Sequence, residues 1–225
     1  MRGEIWTQPK VIVIERVVNM TSSISNDNNA VEVDGVRFET IVLEPVLNVP
    51  KRTLVQKLLC VLQPLLPIPP GYFSPRYSVK IGIRITNNTP TPLRFSLYFT
   101  LFPEIVSVNS PDNPISLEGG CISPTAPLES DFPFVIPGES VTFFPNAEIF
   151  WIWGERLGLS MDSGEGGKWI FQPFKLGNYQ FRFTYNNLKA MVTMYGSVST
   201  DTKLIEGLWT GQVTTPFVDL HLVHL

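Results

Sequence analysis

Strict alternation is the feature that most constrains this chain. Residues 77–86 read Y-S-V-K-I-G-I-R-I-T. In an extended segment this places Tyr77, Val79, Ile81, Ile83 and Ile85 on one face and Ser78, Lys80, Gly82, Arg84 and Thr86 on the other. One dry face and one wet face is the pattern of a half-buried antiparallel strand. After the turn residues N-N-T-P-T-P at 87–92 the period returns. Leu93, Phe95, Leu97, Phe99 and Leu101 alternate with Arg94, Ser96, Tyr98 and Thr100, which predicts a second strand following the first. Tyr179, Phe181, Phe183 and Tyr185 alternate with Gln180, Arg182, Thr184 and Asn186 behind the turn K-L-G-N at 175–178. Residues 141–153 are apolar on both faces in part, as a strand covered on both sides would be. Residues 10–18 and 30–39 read as further strands joined through the polar loop 21–29.

Phase matters as much as period. Trp209, Gly211 and Val213 share one parity and Val218, Leu220 and Leu222 the other, so residues 214–216 must absorb an odd residue as a bulge or strand break. One segment departs from period two. In 51–62, Leu54, Val55, Leu58, Leu59 and Leu62 recur at the spacing of an amphipathic helix of roughly three turns. Pro64, Pro67, Pro69 and Pro70 then end it and force an extended return to Phe73. A second helical turn is expected around 155–161. Residues 43–76 thus form a helical, proline-rich insertion that is long for a connection in a compact domain. Two roles suit it. As a lid over one end of the fold, the favoured reading, it would bury its leucines; as a docking arm it would expose some of Leu54, Leu58, Leu62, Leu65 and Leu66 as a patch.

With 225 residues and 44% hydrophobic content the chain can bury a sizeable core. No internal repeat or Gly/Ser linker divides it, so residues 1–225 read as one domain. A net charge of −3 without a basic run gives a phosphate backbone nothing to hold, which excludes nucleic acid as a partner. The longest apolar stretch, 54–70, contains Gln56, Lys57, Gln63 and four prolines and does not span a membrane. No secretory signal is read at the N-terminus. Cys60 and Cys121 are therefore expected as buried thiols in a cytoplasmic protein, and the sequon-like Asn19 and Asn87 carry no meaning there.

Candidate chemistry is sparse. His221 and His224 stand three apart on an expected strand, facing opposite ways, so they cannot grip one metal together. A thiol hydrolase would need one of them beside Cys60 or Cys121, which follows Gly119-Gly120. The loop D-S-G-E-G-G at 162–167 could hold calcium weakly but is better read as a turn. No phosphate-cradling motif occurs, and neither a metal nor a cofactor is expected. Aromatic density remains: Phe143, Phe144, Phe150, Trp151 and Trp153, then Trp169 and Phe171. Such residues fill the core of a sandwich or, exposed, form a platform for a sugar ring or a partner chain.

The segments PGESVTF (137–143), GGKWIF (166–171), LGNYQFRFTY (176–185) and LWTGQV (208–213) resemble strand signatures of bacterial immunoglobulin-like sandwich proteins. The intracellular proteinase inhibitor type is one distantly similar group, and the segment from Ile85 to Phe95 looks like its N-x-[ST] turn. The resemblance covers residues 77–225, with Leu176 where proline is usual. It implies the fold alone, because no residues match an inhibitory loop.

The expectation is a single immunoglobulin-like antiparallel β-sandwich of roughly seven to nine strands with one short helical, proline-rich insertion. It would act as a non-enzymatic protein-binding module, an inhibitor or regulatory partner of another protein, with a second copy of the chain as one candidate partner. The binding residues would be Leu54, Leu58, Leu62, Trp151, Trp153 and Trp169. A carbohydrate-binding or adhesive module using exposed aromatics is the second reading, and a hydrolase with a Cys/His pair the third.

Overall fold

The computed structural model describes residues 12–15, 29–55, 57–58, 74–120, 125–152, 155–195 and 202–225. Strands carry the fold. The first sheet runs β1 (Ile12–Glu15), β12 (Ser140–Phe143), β6 (Ile81–Asn87), β3 (Val36–Val42), β2 (Ala30–Val33). The second runs β10 (Leu117–Gly120), β15 (Lys168–Phe174), β14 (Leu157–Asp162), β13 (Ala147–Trp151), β5 (Arg76–Val79). The third runs β4 (Val46–Val49), β20 (Val218–His224), β16 (Gly177–Asn187), β8 (Leu101–Ser107), β9 (Ser110–Pro114), with β19 (Gly211–Thr214) also on β16. Two small ribbons complete it, β7 (Leu93–Arg94) with β11 (Phe134–Val135) and β17 (Val192–Tyr195) with β18 (Thr202–Ile205). Pairing between these strands is antiparallel except for β4 on β20, which is parallel.

The first two sheets keep one register across the break between their ladders. Thr86 faces Ser140 in the first and Arg76 faces Phe150 in the second, ten residues back along one strand and ten on along the other, so the register survives the bend between them. Gly82 sits at that bend, where a Cβ would come within 2.3 Å of the Phe143 carbonyl oxygen; only glycine permits the approach. Pro145, on the other strand, has no N–H to offer a ladder.

The third sheet packs on both. Along β16, Tyr179, Phe181, Phe183 and Tyr185 are buried and the intervening residues are partly exposed. Tyr179 meets Phe174 of the second sheet at 5.6 Å between ring centres, and Tyr185 meets Phe38 of the first at 5.4 Å. Between them the Thr40 and Thr215 hydroxyls lie 2.6 Å apart, and both accept from the Phe183 N–H. A polar pair this deep is tolerated because its hydrogen bonds are made.

Several expectations change. Among the described residues twenty short strands stand where roughly seven to nine were expected, because long alternating segments break where they pass between sheets. Residues 77–86 and 141–153 each divide in this way, around Lys80 and residues 144–146. Residues 30–39 are not one strand: Asp34 and Gly35, at φ 52 and 74, make a two-residue hairpin turn, the preferred chemistry for such a loop. No helical turn forms at 155–161, most of which is strand β14. Gly158 lies under the Phe150 ring, 2.5 Å from where a Cβ would stand. The insertion starts later than residue 43, since β4 is part of the third sheet. Its first turn is helical at Leu54, Val55, Lys57 and Leu58, with the Lys57 N–H on the Thr53 carbonyl at 3.0 Å; the rest of it, to residue 73, lies outside the described residues. The break expected at 214–216 is found between β19 and β20, with Thr215 buried in it.

Candidate functional site

Trp151 is the hub of one surface. It ends β13 and is only 2% exposed, so it is not a platform for a ligand. Its indole N–H donates to the Pro50 carbonyl at 3.2 Å and its backbone N–H to Ser74 Oγ at 2.8 Å. Pro50 precedes the insertion and Ser74 follows it, so one residue fastens both ends. The Arg52 guanidinium lies 5.0 Å from the ring centre and donates to the Ile152 carbonyl at 3.4 Å, a cation over an indole face. The His224 ring stacks on the same indole at 5.8 Å.

Beyond this clamp the helical turn points into water. Leu54 is 83% exposed, Val55 67% and Leu58 61%. The lid reading, which requires buried leucines, does not hold for Leu54 and Leu58. Leu62, Leu65 and Leu66 lie outside the described residues, as does Trp153.

Trp169 belongs to a second surface. From β15 its indole N–H donates to the Leu101 carbonyl at 3.1 Å, at the start of β8. Phe99 stacks on it at 5.6 Å with 21° between planes, and Phe102 closes a triangle with both at 5.5 Å. Phe99 has φ 51, a left-handed conformation that bulky residues rarely adopt, and is 38% exposed. Its segment is held from all sides. The Leu97 N–H donates to the Asp131 carbonyl at 2.7 Å, the Ser96 N–H to the Tyr185 hydroxyl at 3.1 Å, and the Thr100 hydroxyl to the Ser96 carbonyl at 2.7 Å. Gly164 packs so closely on Leu97 and Phe99 that no Cβ would fit.

The other candidates are bound into structure. His221 sits 2.9 Å from Asn178 Oδ1 and His224 at Trp151; Cys60 and Cys121 lie outside the described residues. Asp162 pairs with Lys168 at 3.6 Å and accepts from Asn146 at 2.8 Å, while the Ser163 N–H closes the glycine loop on the Gly167 carbonyl. Among the described residues no three His, Cys, Asp or Glu side chains gather as a metal would need. No helix among them is long and apolar enough to cross a membrane. The buried Asn87 donates its amide to the Thr91 and Val135 carbonyls at 2.8 and 2.9 Å, which makes it a turn residue.

Sequence reasoning therefore singled out Trp151 and Trp169, and of the two roles it offered these aromatics, core or platform, Trp151 takes the core one. It missed Arg52, Phe99 and Phe102. Parity alone assigned Phe99 to the core beside Phe95 and Leu97, and nothing in the residue order announces a left-handed phenylalanine. Comparison with protein-family models, with characterised proteins and with solved structures finds no match.

Proposed function

We propose that this chain is a non-enzymatic protein-binding module whose contact element is the arm rooted on Trp151. The observation that carries the reading is the exposure of Leu54, Val55 and Leu58 on one turn of helix. Three neighbouring apolar side chains in water cost free energy that a partner would recover at roughly 25 cal/mol per Å² covered. The clamp supports the same reading, because a fixed base lowers the ordering cost of binding. An inhibitor or regulator is the form this takes, with a protein or a second copy of the chain as partner. The sandwich belongs on this reading to the immunoglobulin-like kind that its strand signatures resemble, and the sparse cysteines fit a bacterial cytoplasm.

A photo-crosslinking residue in place of Leu58, introduced into the chain in its native cell, tests the proposal. A discrete adduct that disappears when Leu54→Glu is added is expected. Adducts no different from those of the same residue at the exposed Ser110 would refute it.

A further inference from the structure

We infer that the outer face of the third sheet, where Phe99, Phe102 and Trp169 adjoin Glu104, Arg182 and Thr184, binds a ring of a neutral oligosaccharide. The site is separate from the arm and does not depend on it. Alternation sends Leu101 and Ile105 of β8 into the core and Phe102 and Glu104 outward. The register sets Phe102 beside Thr184 and Glu104 beside Arg182. Phe102 and Glu104, two apart on one strand, stand about 7 Å from each other, a spacing that lets one sugar ring lie on the exposed Phe99 beside Phe102 while its hydroxyls reach Glu104. Arg182 donates to Glu104 through two nitrogens, at 2.7 Å each, and spreads over Phe217 at 4.1 Å. The Thr184 and Thr214 hydroxyls follow, 2.9 Å apart and exposed.

A surface with stacked rings at one end and acceptors and donors at the other matches a ligand with an apolar C–H face and a polar rim. That ligand is a pyranose. The side chains of an apolar peptide would cover the Glu104–Arg182 pair and return no hydrogen bonds for the water removed. A nucleic acid would bring phosphates to a face whose cation is already engaged by Glu104, on a chain of net charge −3. Phe99 points to the same place. A bulky residue persists at φ 51 only where its surroundings enforce it, and such positions cluster at binding sites; here the enforced conformation lays an exposed ring flat over Trp169.

The test is a titration of the full chain, followed by amide NMR, with cellohexaose, mannohexaose and chitohexaose separately to about 10 mM, beyond the ~1 mM dissociation constants of weak binding. Saturable shifts centred on Phe99, Phe102, Glu104, Arg182, Thr184 and Trp169 with one of the three are expected. Phe99→Ala should weaken that binding about tenfold, the worth of one aromatic stack. Thr184→Val, a solvent-facing change that leaves the core alone, should weaken it about fivefold through one lost hydrogen bond. No saturable shift with any of the three sugars, or shifts centred elsewhere, would overturn the inference. So would binding left unchanged in both variants.

Discussion

Residues 93–101 and 179–186 carry the same alternation, yet only the second is a strand. β16 runs eleven residues between β8 on one side and β20 and β19 on the other. The earlier segment is a strand for two residues only, Leu93–Arg94, pairs with β11, and then turns through Phe99 at φ 51 before β8 begins. Nor does it pair with the strand before it, because β6 already has β3 and β12 on its two edges. Alternation states which side chains avoid water. Whether the backbone is a strand depends on finding hydrogen-bond partners along it, and in 95–100 those come from Pro133, Asp131 and the Tyr185 hydroxyl.

A charge at matched aromatic positions separates the two regions most strongly. Phe183 is buried in β16 and Phe99 is exposed. Phe183→Asp should cost on the order of 5 kcal/mol or more, enough to unfold the domain. Phe99→Asp should leave a cooperative melt within a few degrees of the parent. Similar collapse of both by circular dichroism would show that the earlier segment is a core strand after all.

A smaller effect links the two regions. Tyr185→Phe leaves the Ser96 N–H buried without its acceptor and should cost about 1–3 kcal/mol, read as a lower denaturant midpoint. Burial pushes the Tyr185 hydroxyl well above its ordinary pKa of 10.0. The folded state therefore holds a proton that the unfolded state releases, so this group's contribution is whole below pH 10 and is lost as pH rises toward the folded value. The parent should lose stability above pH 10 more steeply than Tyr185→Phe; equal slopes would remove Tyr185 as the linked group.

The smallest effect isolates backbone conformation. Phe99→Gly and Phe99→Ala both lose the ring, but only glycine adopts φ 51 freely, so the glycine variant should be the more stable by about 1 kcal/mol. At Gln180 on β16 the order should reverse, alanine exceeding glycine by about 0.5–1 kcal/mol. Alanine exceeding glycine at both sites would mean that Phe99 is extended.

This contrast also explains what the residue order disclosed. β16, the all-β class and the break near Thr215 were legible because burial there follows the period directly. The helical turn expected around 155–161 is strand β14 instead, and there Leu157 to Met161 are all buried, so no wet face marks the period, while Phe150 fills the space over Gly158. The hairpin at Asp34-Gly35 carried its local signal, yet the run of apolar residues around it was taken as one strand. At the candidate sites, Trp151 stood out as an aromatic, but its role as a clamp depends on Pro50 and Ser74, brought together only by the fold.

Cross-strand Hα–Hα contacts measured by NMR test most directly whether partners, rather than period, decide between the two regions. Contacts from β16 to both β8 and β19, none between residues 79–86 and 93–100, and ring contacts between Phe99 and Trp169 are expected. A ladder of Hα contacts joining 79–86 to 93–100 would contradict it.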